Sequence, residues 1–123
     1  HHTAPMHLFY ALREGLRLVA EEGLAARWAR HQAVAERLWA GLGEMGLEPH
    51  VPLEIRLPSL TTVRVPAGVD AAAVSRRLLT EYNIEIAGGL GDLAGKVWRV
   101  GLMGYNARPE SVAVLLRALA DVL

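Results

Sequence analysis

The spacing of apolar residues changes near Pro49, and this change limits the folds that the chain can adopt. Before Pro49, apolar side chains recur every three or four residues over two long segments, as in amphipathic helices. After it, short runs rich in β-branched residues alternate with glycine and proline, which is typical of strands joined by loops. Two long helices followed by short strands and further helices predict an α+β fold.

The first part of the chain predicts two helices. One spans about residues 5–22 and ends at Gly23, a helix breaker. The next carries an apolar stripe with steps of three and four residues, and its glycines near residue 43 fray its end. The stripe consists of Leu24, Trp28, His31, Ala35, Leu38 and Leu42. We expect Trp28 to lie in the core and His31 to be partly buried.

The rest of the chain predicts three strands and two helices. Asp70 is a suitable N-cap for a helix that runs to about Tyr82, and Pro109 suits the first position of a last helix. The predicted strands are residues 60–65, 84–86 and 97–102. We therefore expect a small, mainly antiparallel sheet with helices on one face, in a single domain over residues 1–123.

Composition excludes several classes of function. Thirteen basic and thirteen acidic side chains cancel, so nothing points to nucleic acid, and no apolar run is long enough to span a membrane. The chain has no cysteine, and its histidines have no acidic partner at ligand spacing, so no metal site is predicted. No secretory signal is visible, which is compatible with a cytoplasmic protein.

Six of the twelve glycines lie between Gly88 and Gly104, but they do not form a nucleotide-binding motif. A Walker motif needs glycine where Leu90 stands, and serine or threonine where Val97 follows the Gly-Lys pair. A dinucleotide motif leads from a strand into a helix, whereas this segment leads into a predicted strand. The simpler interpretation is a loop between two strands, with glycines that permit positive φ or close backbone approach.

Arg99 lies within the predicted strand 97–102. Trp98, Val100 and Leu102 point to one side of an alternating strand, so Arg99 points to the other, and Gly101 leaves space beside it. A guanidinium can hold a carboxylate through two hydrogen bonds. From the pattern alone, however, an arginine on an exposed sheet face is usually solvated or in a surface ion pair.

Six segments resemble the C-terminal part of class V, fold-type I aminotransferases that use pyridoxal 5'-phosphate. Within that class the resemblance is strongest to the alanine–glyoxylate and serine–pyruvate aminotransferases. It covers nearly the whole chain, in order. The segments are HHTAP at 1–5, LFYALREGL at 8–16, WARH at 28–31, LPSLTTV at 57–63, IEIAGGLG at 84–91 and GKVWRVGLMG at 95–104.

The resemblance implies roles for two residues. Arg99 matches the family arginine that binds the α-carboxylate of the substrate. Thr3 matches a threonine that reaches across the dimer interface to the phosphate of the neighbouring subunit's cofactor. Lys96, the only lysine, does not match the Schiff-base lysine, which lies earlier in the family, in a large domain that this chain lacks. No catalytic residue is therefore expected in this chain, and we expect it to be inactive alone.

For the full-length parent, the resemblance implies a homodimeric transaminase that moves an amino group from alanine or serine to glyoxylate or pyruvate. The absence of an initiator methionine agrees with a fragment or a tagged domain. Two alternatives stay open. Relatives acting on phosphonate, phosphoserine or ureidoglycine-type donors fit the same residues, and so does a stand-alone α+β module that binds an amino acid or mediates dimerisation.

Overall fold

The computed structural model describes residues 4–123, and this range folds into four helices and three strands. The helices are α1 (Met6–Glu22), α2 (Leu24–Glu44), α3 (Ala71–Tyr82) and α4 (Pro109–Val122), and the strands are β1 (Leu60–Arg64), β2 (Ala87–Gly88) and β3 (Val97–Gly101). The chain divides into two compact units, one up to Arg30 and one from His31 onward. No helix within residues 4–123 is long and apolar enough to cross a membrane.

The first unit contains α1 and the turn that follows it. Gly23 has φ 78°, and its N–H donates to the carbonyl of Val19 at 3.0 Å, which ends the helix. Beside this turn, Glu22 accepts hydrogen bonds from Arg30 at 2.5 Å and from Arg27 at 2.8 Å. These hydrogen bonds lower the pKa of Glu22 to about 2, and the bond from Arg30 has the largest effect.

Helix α1 buries none of its side chains within the described part of the chain. Its sequence nevertheless carries a series of large apolar residues, each at least half exposed. They are Met6, Leu8, Phe9, Tyr10, Leu12, Leu16 and Leu18. Exposed apolar surface of this extent is typical of surfaces that bind a partner or a ligand.

The second unit contains an antiparallel sheet in the order β1-β3-β2. The central strand β3 pairs with β1 over five residues and with β2 over two. Helices α3 and α4 and the part of α2 from His31 onward pack on one face of this sheet. The fold confirms the predicted α+β class with a mainly antiparallel sheet.

Trp98 is the largest fully buried side chain, with 1% of its surface exposed. Its indole N–H donates to the carbonyl of Ala71 at 3.0 Å, so its polar atom is satisfied within the core. Val100 and Leu102 are buried with it, as the alternation predicts. They pack in one cluster with side chains of the helices, among them Val34, Leu38, Leu42, Val74, Leu78, Val112, Leu115 and Leu119.

The predicted strand at 84–86 is wrong, because the paired strand is Ala87–Gly88. Asn83 adopts a left-handed conformation with φ 54° at the end of α3. The N–H of Ile84 then donates to the carbonyl of Leu78 at 3.0 Å, which caps the helix. Residues 84–86 thus form the connection that follows α3, and pairing with β3 begins only at Ala87.

The prediction that Trp28 lies in the core is also wrong, since 67% of its surface is exposed. Of the apolar stripe of α2, only Ala35, Leu38 and Leu42 are buried, and Val34 beside them is buried too.

The predicted end of α2 at its glycines is confirmed: the helix ends at Glu44, Gly46 has φ 72°, and the N–H of Leu47 donates to the carbonyl of Leu42 at 2.9 Å. A Cβ at Gly41 would lie 2.2 Å from a methyl carbon of Leu116, so this glycine lets α4 approach α2.

Removal of the Asp70 side chain, which caps the N-terminus of α3, should lower the stability of the chain. The carboxylate of Asp70 accepts hydrogen bonds from the N–H groups of Ala72 at 2.9 Å and Ala73 at 3.0 Å. We expect Asp70→Ala to lower the free energy of unfolding by about 0.5–2 kcal/mol, and Asp70→Asn to retain most of it. Urea denaturation followed by tryptophan fluorescence measures the difference.

Asp92→Ala is the matched control, because Asp92 is exposed and makes no capping hydrogen bond in its single-turn helix. Equal losses for Asp70→Ala and Asp92→Ala would contradict the capping role.

Candidate functional site

Arg99 lies in the central strand β3, on the face of the sheet away from the helices. Its direct partners across the ladders are Thr62 on β1 and Ala87 on β2, both with small side chains. Residues opposite each other in antiparallel strands share a face, so these two flank Arg99. Gly101, two residues along the strand, is exposed. The predicted direction of Arg99 is confirmed. On the same face of β3, Gly101 leaves one side of Arg99 exposed, whereas Val97 on its other side is buried.

One hydrogen bond orients the Arg99 guanidinium. Its Nε donates to the carbonyl oxygen of Gly88 at 2.7 Å. No ion pair among residues 4–123 involves Arg99, and its two Nη atoms make no hydrogen bond within that range. The side chain is half-buried and carries a full positive charge that no acidic side chain of the described chain neutralises. Such a group is suited to binding an anion.

The glycine-rich segment is a loop between β2 and β3, as the sequence indicates. The N–H of Gly89 donates to the carbonyl of Val97 at 3.0 Å, and residues 90–96 form the turn. Gly91 and Gly95 have backbone φ values of 54° and 72°, which residues other than glycine rarely adopt. The loop thus holds two strands together beside Arg99.

A cavity of about 430 Å³ lies on the helix-facing side of the sheet. Arg99 does not line it. The Arg108 guanidinium at this cavity is already bound, because it donates to Ser111 Oγ at 3.2 Å and to the Tyr105 hydroxyl at 2.8 Å. The lining residues are Tyr82–Ile86, Val100–Leu102, Asn106, Arg108, Glu110, Ser111, Val114 and Leu115. The cavity is therefore separate from the predicted substrate-binding arginine.

Neither of the candidate residues Lys96 and His31 lines this cavity. Lys96 is exposed at the end of the glycine loop. Thr3 lies outside the described residues. Within residues 4–123, no group of three or more histidine or acidic side chains could hold a metal ion. His31 is partly buried, as expected.

Sequence reasoning missed the carbonyl of Gly88 as the partner of Arg99. Its acceptor is a backbone atom, so no side-chain pattern identifies it. The available signal was the Gly88-Gly89 pair directly before a predicted loop, which indicates that backbone approaches backbone closely.

Comparison with known proteins gives relatives over the whole chain. The (S)-ureidoglycine–glyoxylate transaminase of Bacillus subtilis is 46% identical over 123 residues, which is 100% of this chain and 30% of the relative. The alanine–glyoxylate aminotransferase of Mus musculus is 46% identical over 124 residues, with the same coverage. No protein-family model matches the chain.

A solved structure agrees with these relatives. The alanine–glyoxylate aminotransferase from Nostoc sp. is 64% identical and superposes with a TM-score of 0.96 over 99% of this chain and 32% of its own. The chain thus spans about a third of the length of the proteins it matches. These relatives give no support to a stand-alone binding or dimerisation module. The chain belongs to the class V aminotransferase family, in the group of the alanine–glyoxylate and ureidoglycine–glyoxylate enzymes.

Proposed function

We propose that this chain is the C-terminal part of a pyridoxal-phosphate-dependent aminotransferase in which Arg99 binds the α-carboxylate of the substrate. The observation that carries the proposal is the Arg99 guanidinium, which is oriented by one backbone carbonyl and has no acidic partner among residues 4–123. The full-length enzyme moves an amino group from alanine or serine to glyoxylate or pyruvate.

Arg99 acts by binding and orientation. Its two Nη atoms, which make no hydrogen bond with the rest of residues 4–123, lie in one plane with a fixed separation that matches the two oxygens of a carboxylate. A substrate held in this way has its carboxylate fixed, which limits rotation about the bond to Cα and presents the Cα–H bond in one direction. Pyridoxal phosphate, when bound, supplies an electron sink for the electrons of that bond.

The described residues fit the substrate side of such a site and do not fit covalent attachment of the cofactor. A lysine that binds a cofactor covalently must lie in a pocket that positions the ring, whereas Lys96 is exposed on a loop. We assign covalent attachment to a part of the parent enzyme outside this chain. Thr3, outside the described residues, remains the proposed contact to the cofactor phosphate of a neighbouring subunit.

The amino donor has a second candidate. Glyoxylate appears as the acceptor in the names of all three relatives described above, while the donor differs between them. The 46% identity with the Bacillus subtilis transaminase favours (S)-ureidoglycine as the alternative donor. Parallel assays of the full-length enzyme with alanine, serine and ureidoglycine, each with glyoxylate, distinguish these substrates.

The isolated chain should form no stoichiometric covalent adduct with pyridoxal phosphate and should not transaminate. Any reaction at Lys96 should be weak, because nothing around this exposed amine positions the cofactor. Borohydride reduction followed by peptide mapping measures the adduct, with Lys96→Arg as the control for reaction at other amines. One reduced cofactor per chain at Lys96, together with turnover, would contradict the proposal.

We also expect the isolated chain to self-associate through α1, since the parent is proposed to be a homodimer and this helix exposes apolar side chains. Leu12→Lys should shift sedimentation toward the monomer by placing a charge in that apolar surface. Gln32→Lys, at an exposed position on α2, adds the same charge as a control. A wild-type chain that stays monomeric over a wide concentration range would exclude this association.

In the full-length enzyme, Arg99→Lys should reduce kcat/KM for alanine by about ten- to over a hundredfold, because one charge-assisted hydrogen bond is lost and the other is displaced. The loss should be much smaller for ethylamine, which is alanine without its carboxylate. Stability should change little, since Arg99 points away from the core.

Arg64→Lys is the matched control. Arg64 is exposed on β1, on the same sheet face as Thr62 and Arg99, and it should tolerate the change. Equal losses of efficiency on alanine and ethylamine would assign Arg99 a structural role instead.

A further inference from the structure

The backbone of the glycine loop approaches Gly89 so closely that no side chain fits there. A Cβ at this position would lie 2.0 Å from the carbonyl oxygen of Leu93 and 2.9 Å from a methyl carbon of Val97. The nearest atom belongs to the backbone, so it cannot rotate away. The φ angle of Gly89 lies outside the left-handed region, so space and not backbone conformation requires glycine here.

This close approach holds the end of β2 against β3. The N–H of Gly89 donates to the carbonyl of Val97 at 3.0 Å, which extends the ladder by one residue beyond the pair Gly88 and Trp98. The Leu93 carbonyl is itself fixed, because it accepts the N–H of Lys96 at 3.0 Å. Gly88, directly before Gly89, supplies the carbonyl that accepts the Arg99 Nε–H at 2.7 Å.

We propose that Gly89 is a positioning residue for Arg99: its missing side chain lets the loop close on β2, and the Gly88 carbonyl then directs Arg99 to hold a carboxylate end-on through both Nη atoms. A free guanidinium can also bind a carboxylate side-on, through Nε and one Nη. Because the Gly88 carbonyl occupies Nε, the side-on mode is closed and one ligand orientation is selected. The identity of this ligand rests on the function proposed above, but the positioning of Arg99 does not.

Adjacent glycines provide a matched pair of variants. A Cβ at Gly88 meets nothing within 4 Å, whereas one at Gly89 meets the Leu93 backbone. Gly88→Ala and Gly89→Ala therefore make the same chemical change one residue apart. Only the second should move β2 or the loop.

The Nε–H signal of Arg99 in the NMR spectrum of the chain reports its hydrogen bond. We expect a scalar coupling across the bond from Arg99 Nε to the Gly88 carbonyl carbon in the wild type and in Gly88→Ala. In Gly89→Ala the coupling should disappear and hydrogen exchange of this group should accelerate by about ten- to a hundredfold. The Trp98 indole N–H signal, which reports the core, should stay in place.

An unchanged Arg99 signal in a folded Gly89→Ala chain would overturn the proposal, because the loop would then have moved without the arginine. Absence of the coupling in the wild type would overturn it too. If Gly89→Ala does not fold, Gly95→Ala decides: it strains the same loop at φ 72° and should accelerate the exchange in the same direction. No acceleration in Gly95→Ala would also contradict the proposal.

Kinetics of the full-length enzyme separate this inference from the proposed function. If Arg99→Lys leaves kcat/KM for alanine unchanged, the carboxylate role fails, and the NMR result still decides the positioning of Arg99. If both hold, Gly89→Ala should raise KM for alanine about tenfold or more, with a smaller effect on ethylamine.

Discussion

The burial of Trp98 fixes the register of strand β3, and the direction of Arg99 depends on that register. Trp98 is 1% exposed and its indole N–H is bonded to the Ala71 carbonyl at the start of α3. Successive residues of a strand point to opposite faces, so a shift by one residue would exchange Trp98 with Arg99. Such a shift would bury a charge and expose an indole, which is strongly unfavourable. The burial of Trp98 therefore determines the direction of Arg99, although the two side chains lie on opposite faces of the sheet.

Local signals in the sequence predicted the elements whose causes are local. Asp70 caps α3 through its own side chain, and Pro109 opens α4, because both effects act within one helical turn. The alternation in β3 was likewise visible, since its two faces differ in polarity. Strand β2 was misplaced because the exit from α3 uses the N–H of Ile84, a backbone bond that residue types do not reveal.

Features that depend on distant parts of a fold were harder to predict. The apolar stripe of α2 identifies a face of the helix but not how far along the helix that face is covered, so Trp28 was placed in the core although it is exposed. For the candidate site, the alternation predicted where Arg99 points, and the family resemblance is the source of the carboxylate proposed as its ligand. Neither could identify its partner, because the carbonyl of Gly88 reaches Arg99 through strand pairing.

Arg99 differs from other arginines of the chain in how its charge is balanced. Arg17 binds Glu14 and Glu21, and Arg77 binds Glu81, so on these helix surfaces the positive charge meets carboxylates one turn away. Arg99 instead meets a carbonyl, which accepts a hydrogen bond but carries no net charge. The group is thereby held in place while its charge stays available. An ion pair would also orient the guanidinium, but an incoming carboxylate would then have to displace the acid and would gain little. A backbone acceptor orients the guanidinium without competing for its charge, which suits the proposed role of Arg99 in binding the substrate carboxylate.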